Sequence, residues 1–166
     1  MVGRMSIKED TRELPPETLP ANVHAERTIL GAILLDNAAH AEAAATLESD
    51  DFSLDSHRRI FLRMTELVDS KHAIDIVTLA DRLDFFKETS TIGGVAYLAS
   101  LTEGLPRRPV IREYIRIVKE KRQLRRIIAA CEEATKKAQE QSTLAADIVA
   151  EMGLSLKGIA PRRGKP

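Results

Sequence analysis

The chain has 166 residues, 43% of them apolar and 30% charged, a balance that suits one folded domain with a real core and excludes an intrinsically disordered polypeptide. Lys plus Arg and Asp plus Glu number 25 each, so the formal net charge is zero, and any nucleic-acid footprint has to be a local patch, not a whole-molecule field. No apolar run reaches membrane-spanning length, the start lacks the apolar core of a signal peptide, and the single cysteine, Cys131, excludes an internal disulfide and fits a reducing cytoplasm.

Residues 1–20 read as a flexible arm, polar and without periodicity, with Pro15, Pro16 and Pro20. A helical head is expected over 21–105. Its first helix, 22–35, has Asn22 as cap and Glu26 in the first turn, where negative charge is favoured. Ile29, Leu30, Ile33, Leu34 and Leu35 cover more than one stripe, and Gly31 sits mid-helix at a cost of about 1 kcal/mol relative to Ala. Tight packing on two sides is therefore expected, with Leu30, Gly31, Leu34 and, from a later helix, Phe61 as head-packing residues. A short alanine-rich helix near 38–47 follows. The capping-rich turn "SDDFSLDS" then leads into a helix where Ile60, Phe61, Met64, Leu67 and Val68 form one core-facing stripe. Asp75 or Thr78 can cap a helix over 78–87, with Leu79, Leu83 and Phe86 inward. A small helix from near Gly93 carries Val95, Leu98 and Leu101. Nothing alternates as a strand does, so the predicted fold is all-α.

After "GLPRRP" the style changes. From Val110 to Gln141 there is no Gly or Pro, which predicts one long helix. Val110, Tyr114, Ile117, Lys121, Leu124, Ile128, Cys131, Thr135 and Ala138 are spaced alternately by four and three, a heptad seam. The first half carries a second stripe, Ile111, Ile115 and Val118, and should be buried on two sides. "STLAADIVAEMGLSL" supplies a short return arm, with Ser142 as cap and Leu144, Ile148, Val149 and Met152 as contacts, so that 109–157 forms a helical hairpin. Residues 158–166 read as a disordered basic tail. Because the seam exceeds the arm, self-association is expected through Val110, Tyr114, Ile117, Lys121, Leu124, Ile128 and Cys131. The polar Lys121 within the seam is suited to fixing register or oligomer state.

Candidate chemistry is sparse. A phosphate loop needs G-x-x-x-x-G-K-[ST], and the nearest approach, Gly158 to Gly164-Lys165-Pro166, is one residue too long and ends in Pro. His24, His40, His57 and His72 are scattered without a ligand partner, so surface or capping roles are expected and no metal site. Cys131, on the seam, reads as a small buried apolar residue. No Ser/His/Asp or Cys/His grouping stands out, and no catalytic or cofactor-binding residue is assigned. In "KEKRQLRR", Lys119, Arg122 and Arg126 share a face. With Arg125 they are candidates for contact with phosphates or an acidic partner, although Glu113, Glu120, Glu132 and Glu133 balance them as a solvated face would require.

"LPANVHAERTILGAILLDN" resembles the opening of the N-terminal domain of DnaB-type bacterial replicative helicases, whose L-P-x-x-x-x-A-E-x-x-x-L-G-x-[IL]-L-L-D pattern is met by Leu19, Pro20, Ala25, Glu26, Leu30, Gly31, Ile33, Leu34, Leu35 and Asp36. "DDFSLDSHRRIF", "AIDIVTLADRL", "GGVAYLASL" and "YIRIVKEKRQLRR" continue the resemblance in order, over about residues 14–140. It implies a compact helical head followed by a hairpin that pairs between subunits, the pairs building a three-fold collar that also receives the C-terminal helical domain of primase. It implies a non-catalytic chain whose partners are further copies, as a dimer or three dimers, primase near Tyr114 to Arg126, full-length helicase subunits, DNA only indirectly, and no membrane. ATP and Mg belong to the family's motor domain, whose phosphate loop this sequence lacks. Within the head, Gly31 would permit a close helix crossing, and the first half of helix 110–141 would cover the second face of helix 22–35. "GLPRRPVI" departs from the family's T-P-x-x-x-N turn, with Pro109 at the Asn position. Two other readings stay open: a free-standing regulator that co-assembles with a complete helicase, and a small helical nucleic-acid-binding protein using Lys119, Arg122, Arg125 and Arg126.

Overall fold

A computed structural model of the chain describes residues 19–159; all but the last two residues of the arm read over 1–20, and the tail from 160 onward, lie outside the described residues. Seven α-helices follow in order: α1 (Val23–Leu35), α2 (Ala38–Ala44), α3 (Asp55–Asp69), α4 (Ile76–Phe85), α5 (Gly94–Ser100), α6 (Arg112–Glu140) and α7 (Ala145–Lys157), with a 3-10 turn at Ser49–Asp51 between α2 and α3. Among the described residues there is no strand, and the fold is all-α as expected.

The helix starts follow their capping chemistry. The Asn22 side chain accepts from the Ala25 N–H at 2.9 Å, satisfying one of the donors that a helix start leaves free. Asp75 and Thr78 both cap α4: the Asp75 carboxylate accepts from the N–H groups of Val77 and Thr78, and the Thr78 hydroxyl accepts from the Asp75 N–H. That reciprocal box starts α4 at Ile76, two residues before the expected position. α7 differs, because Ser142 does not cap it; the helix begins after Leu144 with no side-chain cap bond.

α1 is the central helix of the head. It packs on α2 and α3 and, on its other side, on α6. Ile29, Leu30 and Ile33 are fully buried, Phe61 is buried beside them, and Leu34 packs against the edge of this cluster. The close approach at Gly31 is to the backbone end of α5: a Cβ built there would lie 2.0 Å from the carbonyl oxygen of Leu101. Ile111, Ile115 and Val118 are buried, so the entry and first turns of α6 close the head over α1. Three residues expected inside are at the surface instead. Val68 and Val95 are exposed, and Phe86 is covered on one face only, by the Arg63 guanidinium 3.6 Å from its ring centre.

α6 has 29 residues and is about 43 Å long. Beyond Val118 none of its residues is buried, so the rest forms a hairpin with α7 outside the main core. The start of the expected loose tail is held in place. Ile159 is buried, and the Gly158 carbonyl accepts from Arg126 at 3.3 Å.

Candidate functional site

The hairpin is clasped by polar contacts at its surface, beside the half-buried Ile148 and Met152 of α7. Lys137 on α6 reaches Glu151 on α7 at 2.5 Å and Glu133 at 3.5 Å, and Arg126 reaches the end of α7. Apolar residues face outward. Leu144, Val149 and Leu154 are 71–74% exposed, Leu124 and Ile127 are exposed on α6, and α7 has no buried residue. Leu144 and Val149, expected as contacts of the return arm, are therefore exposed instead; Leu144 precedes α7, and Val149 and Leu154, five residues apart, stand about 140° apart around it, so these are unpartnered apolar side chains spread around the arm and not one stripe. The seam divides along its length. Tyr114 and Ile117 lean on the core of the head, Lys121 and Ile128 are half-buried, and Leu124 and Cys131 are exposed. Val110 precedes the helix and is 80% exposed, so the seam begins at Tyr114 and not where the heptad count placed it.

The basic cluster is largely used inside the molecule. Lys119 pairs with the Asp51 carboxylate at 2.9 Å. Arg125 donates to the carbonyls of Pro20 at 2.7 Å and Asp51 at 2.6 Å. Burial lowers the basicity of this guanidinium, Glu26 and Asp51 oppose that shift, and Arg122 and Arg58 add to it. Arg126 serves the hairpin, and Arg122 makes no hydrogen bond or ion pair among the described residues. Lys119, Arg122, Arg125 and Arg126 therefore do not present one open phosphate-binding face; two of them fasten the hairpin base to the head through Asp51.

A buried polar chain crosses the head that the sequence reading did not single out. His57 Nδ1 lies 2.6 Å from Glu26 Oε2, His57 Nε2 lies 2.6 Å from the Tyr97 hydroxyl, and the Ser53 N–H donates to Glu26 at 2.7 Å. With Nδ1 protonated, the imidazole donates to the carboxylate and the phenol donates to Nε2, so the carboxylate and both ring nitrogens are satisfied, while the buried Ser53 hydroxyl beside them has no partner among the described residues. His57 is thus a core residue joining α1, α3 and α5, and not a surface histidine. His40 is likewise buried, 3.0 Å from the Thr65 hydroxyl and stacked on Phe61. An acid–base pair with both ends occupied in the core is built to hold helices together. Among the described residues no group of three or more His, Cys, Asp or Glu could hold a metal ion, and no helix is long and apolar enough to cross a membrane.

Residues 18–120 match the family model of the DnaB-like helicase N-terminal domain. The chain is 38% identical over 109 residues to the replicative DNA helicase DnaB of Geobacillus stearothermophilus, a match covering 66% of this chain and 24% of that protein. It is 31% identical over 144 residues to the replicative DNA helicase DnaC of Bacillus subtilis (strain 168), covering 87% and 32%. Among solved structures it is similar to the N-terminal domain of DnaB helicase from Mycobacterium tuberculosis, with a TM-score of 0.79 at 27% identity over 84% of this chain and 98% of that one. A DnaB-like replicative helicase described with its interactions with primase shares the fold, with a TM-score of 0.65 at 21% identity over 86% and 32%. The chain spans about a quarter to a third of the length of the curated relatives it matches.

Proposed function

The chain belongs to the family of DnaB-like helicase N-terminal domains, and from that premise we propose that it is a non-catalytic assembly module of a replicative DNA helicase, pairing with further copies through its hairpin and receiving primase. What it carries is the N-terminal domain and not the ATPase motor domain, and the full-length relatives are helicases. The observation that carries the proposal is the hairpin itself. Two helices are clasped to each other by Lys137 and Arg126, yet they leave Leu124, Ile127, Leu144, Val149 and Leu154 in water. A two-helix hairpin cannot bury all of these side chains alone, and a second hairpin laid against it would cover those that face it. Pairing of this kind is isologous and closes at the dimer; three dimers joined by further contacts would form the collar implied by the family. In this reading the module works in the cytoplasm, meets DNA only through the complete helicase, and binds no nucleotide.

Primase docking is supported by the structural neighbour described with primase; within the Tyr114 to Arg126 stretch only the outward residues, Arg116, Glu120 and Leu124 among them, are open to it. Calorimetric titration of the folded chain with the C-terminal helical domain of primase from the same source tests it. Saturable heat with a fixed stoichiometry is the expected result. A flat titration with a folded, self-associated chain would remove the docking half of the proposal.

A further inference from the structure

Three guanidiniums gather at the joint of head and hairpin without a carboxylate of their own. On α3, Arg58 donates from Nε to the Phe52 carbonyl at 2.8 Å and from Nη2 to the Ser53 carbonyl at 2.9 Å. On α6, Arg125 donates to the carbonyls of Pro20 and Asp51 at 2.7 and 2.6 Å. The carbonyls of consecutive residues, Asp51 to Ser53, therefore hold both side chains against one turn of the head. A guanidinium has five N–H donors, so these contacts leave most of them free. Arg122 completes the group. Lys119 and Arg125 both reach Asp51, and Arg122, midway between them in sequence, also lies between them around α6. It is turned toward the same part of the head, is half-buried, and makes no hydrogen bond or ion pair among the described residues.

The acids nearby are already engaged. The Asp51 carboxylate accepts from Lys119 at 2.9 Å and from the Glu48 N–H at 2.9 Å. The Glu26 carboxylate is bound inside the head by His57 and the Ser53 N–H. Glu48 and Asp50, exposed on the same turn, form no ion pair with the three arginines. The arginines also feel one another. Burial lowers the basicity of Arg125, and Arg122 and Arg58 lower it further, against the pull of Glu26 and Asp51. Like charges held near one another by backbone contacts, one of them with every donor free, are short of an anion.

We propose that Arg58, Arg122 and Arg125 form a binding site for a phosphate-class oxyanion at the head–hairpin joint. A carboxylate offers one edge and suits a single fork. Guanidiniums from α3 and from successive turns of α6 approach from different sides and suit a tetrahedral dianion. Arg122 supplies the open fork, while Arg58 and Arg125, fixed beforehand by the carbonyls, lose little freedom on binding. The bound anion ties α3 to α6 and steadies the hairpin base against the head. The site is a single point at the joint, not an open strip for nucleic acid, and it does not depend on hairpin pairing.

Inorganic phosphate is the probe. Calorimetric titration of the full chain, with ionic strength held constant by sodium chloride, should give saturable heat at one phosphate per chain. The melting temperature should rise by about 2–4 °C once phosphate exceeds its dissociation constant several-fold. Arg122→Ala should abolish both responses. Without phosphate that variant should melt no lower than the unmodified chain, since it loses a like charge and no bond. Arg116→Ala, exposed on α6 and paired only with Glu113, should keep both responses. Equal responses to phosphate and to chloride, an Arg122→Ala variant that still binds or that melts lower without phosphate, or acetate binding as well as phosphate does, would each overturn the proposal. Molar mass of the same samples reports hairpin pairing separately, so failure here leaves that reading intact.

Discussion

Alanine in place of Gly31 should lower the stability of the head by about 3 kcal/mol, the upper end of what overpacking usually costs, and its melting temperature by roughly 10 °C. The added Cβ would stand 2.0 Å from the Leu101 carbonyl oxygen, 2.8 Å from its carbon and 2.7 Å from a Leu105 methyl group. Leu105 is a side chain and can turn aside. The Leu101 carbonyl belongs to the backbone at the end of α5, and the Leu101 side chain is buried, so relief requires α1 and α5 to separate. The gain in helix propensity, about 1 kcal/mol for Gly to Ala, does not offset that. Gly153 provides the control within the same protein. It lies inside α7 with nothing within 4 Å of a built Cβ, and Gly153→Ala should stabilise by about 0.5–1 kcal/mol. Thermal melts of both variants give the comparison, and a neutral Gly31→Ala would contradict the close crossing.

Removing the Glu26 carboxylate should have the next largest effect. Glu26→Ala leaves the Ser53 N–H and the His57 ring nitrogen without their acceptor in a site where Glu26 and His57 are both buried. Each buried donor left without an acceptor costs about 1–3 kcal/mol. The milder Glu26→Gln exposes the linkage to pH. Burial alone would raise this carboxyl, but hydrogen bonds from His57 and Ser53 outweigh it and hold the group below its ordinary value of 4.5. A carboxyl depressed in the folded state confers stability that is complete above its unfolded pKa and is lost as pH falls through the folded one. Glu88 acts in the same direction, lowered by Arg63 and Arg59 against its own burial. Stability should therefore fall below about pH 4.5, and Glu26→Gln should show a shallower acid limb because the Glu26 contribution is gone while that of Glu88 remains. Denaturant midpoints measured across that range decide it; an unchanged acid limb would show that Glu26 does not carry the linkage.

What the sequence made legible was local or periodic. The Asn22 cap, the buried row of α3 at Ile60, Phe61, Met64 and Leu67, and the break between head and α6 all rest on residues a few positions apart. The glycine within an apolar helix announced a close approach, although the partner was the end of α5 and not a helix flank. The family was legible too, because its blocks lie in order along the chain and the head packs them together. Polar contacts across long separations were not legible. Glu26 looked like a first-turn acid and His57 like a surface histidine, and nothing across a separation of 31 positions pairs them. Arg125 looked like a candidate for phosphates, and only the fold brings the carbonyls of Pro20 and Asp51 to its guanidinium. Val110 kept heptad spacing beyond the start of the helix, since periodicity does not mark where a helix begins.

The hairpin face is the centre of the functional account, and molar mass is its most direct measure. Light scattering of the unmodified chain beside Leu124→Asp with Ile128→Asp, at matched concentrations and with helicity verified, compares the two states of that face. Two carboxylates placed on the outer half of the seam would have to be buried in any pair, at a cost no pairing of this size can absorb. The account predicts that the unmodified chain associates, with a dimer as the smallest stable unit, and that the folded double variant loses hairpin pairing. Equal masses for two folded proteins would contradict it.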